Sequence, residues 1–346
     1  MKVAFRSGCS QQGIVLLTVL WILVLLAVMV GQFCYSMRTE LNVTRNLRDE
    51  TVGYYLARAG INLATLKVID GISGDIYLPD GTDGEEGSVW RINQEISPIP
   101  FGGGRIQVKI DNESGKININ EADVLLLQML FKSFGIPGDQ EATIVESILD
   151  WRDMDNFHRN YGAENDYYQN LPQPYASNNG PFRSIEELLL VKGVTRELWQ
   201  MGLGRMVTVQ SDLVENTLIM GSTPEDEEKR KININAAPPE VLRCFPGMTK
   251  EILQAITEYR RERDFETKNQ FRRLVGDLMF QKILPYISVR NSSYYTIRAT
   301  GLPEGTQVRS TVEALVRLDS RKGTVRVINW VDYIDPGRGE AVADGV

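Results

Sequence analysis

Five carboxylates fall close together in the middle of the chain: Asp150, Asp153 and Asp155 in the run DWRDMD, then Glu164 and Asp166 in the run GAENDYY. Acids this crowded repel one another unless a cation or an arginine lies among them. Side-chain and backbone oxygens are plentiful nearby, and no cysteine or histidine cluster accompanies them. The chemistry that suits such a set is a hard cation taking roughly six to eight oxygen ligands, calcium rather than zinc or copper. The spacing is not that of an EF-hand loop. A solvated acidic loop with Arg152 and Arg159 as counter-charges is the other reading of the same residues. Paired carboxylates also serve acid–base catalysis in glycosidases, but no partner motif accompanies these, so an enzyme is not expected. His158 is the single histidine, which leaves no Ser-His or Cys-His pair to build on. Cys9, Cys34 and Cys244 form no disulfide framework.

A repeated motif sets the elements around these acids. KININ occurs at residues 116–120 and again at 231–235, and the residues after each copy are alike. A duplicated helical unit is the simplest reading, with lobes at about 116–210 and 231–290 inside an all-α insert spanning 116–290. In that alignment Asp150, Trp151, Arg152, Asp153 and Asp155 fall on Glu258, Tyr259, Arg260, Arg261 and Arg263. Two acids of the first lobe are thus arginines in the second, and the first lobe alone carries the loop 156–180. Each lobe resembles the helix-hairpin-helix (SAM-like) class, which often grips DNA phosphates through turn amides. The turns here read GIP (135–137), GVT (193–195) and GMT (247–249), without the second glycine that lets backbone approach a phosphate. Thr195 and Thr249 read instead as helix N-caps. Residues 231–290 hold eleven Lys/Arg against seven Asp/Glu, but the whole chain carries a net charge of -7, and nucleic acid is an unlikely partner.

On either side of the insert the pattern changes. RIQVKID (105–111) alternates as a strand, and three more strands are expected at 294–300, 307–318 and 324–333. Residues 71–104 read as loops enclosing a short strand at 89–92. Upstream, apolar residues from Leu41 to Leu66 recur at helical spacing without a proline, with Gly53 and Gly60 as the places where a helix would break. A long helix and an antiparallel sheet make an α+β layer arrangement.

Between Arg6 and Arg38 no residue is charged, enough for a membrane helix. Lys2 and Arg6 before it place the N-terminus in the cytoplasm and the rest of the chain across the membrane. The short basic leader ending in Gly13, followed at once by the apolar run from Ile14, resembles the signal of pilins and pseudopilins, cut by prepilin peptidase between Gly13 and Ile14. Most of that class have glutamate at the fifth mature position, where this chain has Thr18. That departure, with DWRDMD, GAENDYY and FRSIEELLLVKGVTREL, resembles the minor pseudopilin K family of type II secretion (general secretion pathway protein K). The resemblance implies a leader at 1–13, an inner-membrane stem at 14–37 and a pilin-like domain split into 38–115 and 291–335. A flexible tail at 336–346 completes the division. It also implies residence at the pseudopilus tip with minor pseudopilins I and J, contact with membrane lipid, and calcium held by Asp150, Asp153, Asp155, Glu164 and Asp166. A membrane-tethered DNA receptor of the competence type shares the anchor and the NAAPPEVL lobe, and is the alternative.

Overall fold

The chain is described by a computed structural model over residues 12–70, 90–213, 223–319 and 322–332. The first eleven residues of the leader, most of the loop after residue 70 and the tail expected at 336–346 lie outside the described residues.

One helix, α1 (Gln12–Asp70), runs unbroken for 59 residues. Its sequence has no proline and is dominated by Leu and Val in the first half, so every interior N–H finds its carbonyl four residues back. The two halves differ in what they touch. Val15 to Val30, Phe33, Leu41 and Leu47 are exposed, whereas Leu56, Ala57, Ile61, Ala64 and Val68 are buried against a sheet. Gly53 and Gly60, read from the sequence as possible breaks, are instead where the helix presses closest to that sheet. A Cβ on Gly60 would come 2.5 Å from Ile106 Cγ2 and 2.9 Å from the Ala299 methyl, and one on Gly53 would come 2.9 Å from Ser310 Oγ. The close approach of the sheet's side chains, not helix propensity, selects glycine here.

Among the described residues nine strands come after the helix: β1 (Glu95–Phe101), β2 (Gly104–Asn112), β3 (Ile117–Asn118), β4 (Val207–Thr208), β5 (Ile232–Asn233), β6 (Ile287–Ser288), β7 (Tyr294–Pro303), β8 (Ser310–Asp319) and β9 (Thr324–Val331). Five of them form one antiparallel sheet in the order β1-β2-β7-β8-β9. With α1 on one face, the α+β layer is formed, and its core joins Ile106, Val108, Ile110, Ile297, Ala299, Val312, Ala314 and Val316 to the helix. Residues 90–92, expected within a short strand, form none; the first described strand is β1, built from residues read as loop. Two prolines hid it. Pro98 lies in the irregular stretch between Ile96 and Ile99 of an edge strand, where a missing N–H disturbs no ladder. The β1–β2 turn has φ of 53° at Gly102 and 82° at Gly103, the pair of positive angles a two-residue hairpin turn needs.

Between β2 and β7 the chain leaves the sheet. Asn112, 1% exposed, clasps the two crossing points: its amide donates to the Ser292 carbonyl at 2.9 Å, and its Oδ1 accepts from the Ser292 N–H at 2.9 Å and the Ser114 N–H at 3.1 Å. The insert includes α2 (Val124–Lys132), α3 (Gly138–Arg152) and further short helices. It is not all helix. β3 pairs in parallel with β4, and β5 with β6, so each KININ segment is a strand whose isoleucines enter the core and whose asparagines organise the turn beyond it. A single apolar core runs through both lobes.

Candidate metal site

α3 delivers Asp150, Trp151 and Arg152 at its last turn, and Asp153 ends it with extended backbone. Two contacts fix the register of that turn. Trp151 is buried among Tyr168 (centroids 5.0 Å, edge-on) and Phe182 (6.2 Å, stacked). Arg152 turns away from the acids and donates to the carbonyls of Ile119 (2.5 Å) and Ala122 (2.7 Å). The expectation that Arg152 answers the acidic charge is therefore corrected: it satisfies backbone at the start of the lobe. Its pKa falls to about 10 because burial disfavours the cation and Arg159 adds repulsion.

Arg159 is the arginine that answers the acids. Its guanidinium pairs with Asp150 Oδ1 and, at 2.7 Å, with Asp153 Oδ2, while its N–H reaches Asp150 Oδ2 at 3.3 Å. Asp150 is fully buried, and Gly162 lies so close that any Cβ there would strike its carboxylate. Asp150 is thus a partner of Arg159 behind the cluster.

Three of the five carboxylates come together. Asp153, Asp155 and Glu164 each offer an oxygen within 4.8 Å of the others. Asp155 accepts the Phe157 N–H at 2.8 Å. Glu164 is 2% exposed, and neither of its carboxylate oxygens has a hydrogen-bond partner; Asp153 Oδ1 is equally buried and unpartnered. Burial, followed by repulsion from Asp150 and Asp153, pushes Glu164 up to about 7. Asp166 stays apart: it is exposed and pairs with His158 Nε2 at 2.8 Å.

Buried carboxylate oxygens without donors are expensive, and Asp153 and Glu164 both carry them in this cluster, which the exposed Asp155 completes. Oxygen-only donors at this spacing fit a hard divalent cation, with Asp153, Asp155 and Glu164 as the side chains to hold it. The loop around them is held by residues that composition does not single out. Lys192 Nζ donates to the carbonyls of Tyr161 (3.3 Å) and Gly162 (3.0 Å), Glu146 accepts the Tyr161 N–H at 2.5 Å, and Asn179, at φ 44°, donates to the Asp155 carbonyl at 3.1 Å. The NNG run at 178–180 was the available signal for that turn.

The second lobe has the same frame with other contents. Asn120 exchanges two hydrogen bonds with the Phe182 backbone at 3.0 and 2.8 Å, and Asn235 does so with Phe265 at the same two distances. Tyr259 stacks on Phe265 with centroids 4.3 Å apart, and Arg260 donates to the Ala237 carbonyl at 2.7 Å. Arg263, aligned with Asp155, lies 4.9 Å over the Tyr259 ring. Thr195 and Thr249 cap their helices, accepting from the N–H of Leu198 and Ile252 at 3.4 Å. At the other end of the chain, Gly13 and Ile14 fall in the first turn of α1, and the Thr18 hydroxyl is satisfied within its own helix by the Val15 carbonyl at 2.8 Å.

Residues 107–212 match the family described as type II secretion system (T2SS), protein K. A type II secretion system protein K of Pectobacterium carotovorum subsp. carotovorum is 30% identical over 118 residues, 33% of this chain and 36% of that protein. One from Aeromonas hydrophila is 23% identical over 253 residues, 67% of this chain and 70% of the other. Among solved structures, the fold is similar to a chain of the GspK-GspI-GspJ complex from the type 2 secretion system of enterotoxigenic Escherichia coli. The TM-score is 0.55 at 17% identity, over 87% of this chain and 100% of that one.

Proposed function

Because this chain belongs to the type II secretion system protein K family, we propose that it works as a minor pseudopilin, acting by assembly and not by catalysis. The observation that carries this reading is the divided surface of α1. Its second half is consumed by the sheet, while its first half leaves Val15 to Val30 exposed. An apolar helix of that length needs lipid, and on leaving lipid it needs other helices. A stem drawn from the inner membrane into a bundle of like stems satisfies both demands in turn.

In this reading Gly13–Ile14 is the cut made by prepilin peptidase, the N-terminus is cytoplasmic and the sheet and insert are periplasmic. Thr18 needs no neighbour, since its hydroxyl bonds its own helix, which suits a subunit with no partner beyond it. The insert, carried between β2 and β7 on the Asn112 clasp, would obstruct docking of a further subunit, so the place is the tip of the pseudopilus. There the chain starts or limits assembly during protein export. The named complex of GspK with GspI and GspJ supports minor pseudopilins I and J as partners. The two lobes are read as copies of one unit, the first adapted to hold calcium through Asp153, Asp155 and Glu164.

The test is the intact mass and N-terminal sequence of the protein recovered from membranes, with and without active prepilin peptidase. A mature chain starting at Ile14 only when the peptidase is active is expected. Persistence of Met1 in both would remove the reading and leave the DNA receptor to be tested by salt-dependent binding.

A further inference from the structure

The acid-bearing loop of lobe one has a lysine beside it that lobe two lacks. In the alignment of the lobes, PFRSIEELLLVKGV (181–194) falls on DFETKNQFRRLVGD (264–277), so Phe182 meets Phe265, Gly193 meets Gly276 and Lys192 meets Val275. The two glycines share a left-handed backbone, with φ of 87° and 80°. The residue before them differs. Val275 is buried in the core of its lobe, whereas the Lys192 side chain reaches the loop that only lobe one carries.

Lys192 holds that loop on both sides of Glu164. Its Nζ donates to the carbonyls of Tyr161 (3.3 Å) and Gly162 (3.0 Å), just before the glutamate, and lies 4.9 Å from the centroid of the Tyr167 ring, just after it. Its backbone N–H reaches the Tyr168 hydroxyl at 3.3 Å, and Tyr168 is buried edge-on to Trp151. The base of the lysine is fixed as well. A Cβ on Gly193 would come 2.8 Å from Ile144 Cγ1, so the chain there rests on α3, the helix that ends at Asp153. An ammonium has three donors, and the contacts described for this one engage two carbonyls and a ring. It shapes the loop without occupying a carboxylate of the cluster.

That arrangement bears on affinity. Glu164 comes to the cluster from the loop, while Asp153 and Asp155 come from the end of α3. A ligand that has to be ordered when the ion arrives weakens binding by the cost of ordering it. We propose that Lys192 is a positioning residue for the calcium cluster, holding residues 161–168 so that the Glu164 carboxylate already stands beside Asp153 and Asp155 before the ion enters. This rests on the calcium reading. Lobe two, with Val275 in that place and arginines in place of two acids, lacks both the ligands and their support.

The test uses metal-stripped full-length protein in detergent as the parent, Lys192→Met and Lys192→Arg. Calcium affinity is read by calorimetry, the water molecules on a bound terbium ion by luminescence lifetimes in light and heavy water, and the fold by metal-free thermal midpoints. Lys192→Met keeps the length of the side chain and loses the donors. It is expected to weaken calcium binding at least about tenfold and to leave terbium with about one more water as Glu164 drops away. Its midpoint should stay within about 3 °C of the parent. Lys192→Arg, which retains charge and donors, should recover most of the affinity and the parent's water count. Equal affinity and equal water count in the parent and Lys192→Met overturn the positioning role and leave the calcium reading standing. Weaker binding with an unchanged water count, or with a midpoint lowered beyond that range, also overturns it, because charge or stability alone then accounts for the loss. Binding of neither ion by the parent overturns both.

Discussion

Lobe one and lobe two share a frame and differ in their charge. In both, an asparagine of the KININ segment holds the backbone of a later phenylalanine, an aromatic residue stacks on that phenylalanine, and the next arginine caps carbonyls at the start of the lobe. Beyond that arginine they part. Lobe one continues into Asp153, Asp155 and a loop that brings Glu164, whereas lobe two continues into Arg261 and Arg263, with Arg263 resting on Tyr259. The frame is a matter of packing and backbone satisfaction, which tolerates either sign of charge next to it. The residues just past the frame decide whether a lobe presents clustered acids or fixed arginine charge.

Removing the shared arginine should affect both lobes most. Arg152→Ala leaves two buried carbonyls without donors and is expected to lower stability by about 3 kcal/mol, Arg260→Ala by about 2 kcal/mol, read from chemical denaturation midpoints. Loss in one lobe alone, or in neither, would break the parallel. Next in size is Glu164→Gln, which should weaken calcium binding at least about tenfold by titration calorimetry, while raising the midpoint of the metal-free protein because a repelled buried charge is gone.

The pH response should separate two buried glutamates. Glu164 is raised to about 7, so the folded chain holds a proton there that the unfolded chain has released. The Glu164 contribution to metal-free stability should then be fully present below the usual carboxylate range, be lost as pH rises through about 7, and vanish when calcium is bound. Glu113 is opposite. Burial alone would raise it, but Lys116 at 2.6 Å and the Thr296 hydroxyl hold it below its usual value. Its contribution is present above the ordinary glutamate pKa and is lost as pH falls through the lowered one. Thermal melts across pH with and without calcium would resolve both. The smallest effect is expected from Asp166→Asn, which sits with His158 outside the cluster and should leave calcium affinity unchanged.

The unbroken stem and the antiparallel sheet were legible because hydrophobic length and strict alternation are strong signals. β1 was missed because prolines read as loop unless the strand is known to lie at an edge. Gly53 and Gly60 were marked only as places where the helix could break, because a glycine that breaks a helix and one that lets it approach a sheet look the same in one dimension. At the candidate metal site, residue types pointed to five acids, but proximity in sequence does not say where a carboxylate aims. Asp166, on the exposed start of the short helix Asn165–Gln169, faces His158, while Glu164 just before it faces the cluster. Likewise nothing in DWRD marks its arginine as a carbonyl cap; only the comparison of Arg152 with Arg260 does.

The difference between the lobes is tested most directly by calorimetric titration of calcium into metal-stripped full-length protein in detergent, run in parallel on the parent and on Glu164→Gln. Saturable binding by the parent, accompanied by proton release near neutral pH and lost in the variant, is the expected result. No binding by the parent, or identical binding by both, would contradict the assignment and make the cluster of lobe one an acidic surface loop.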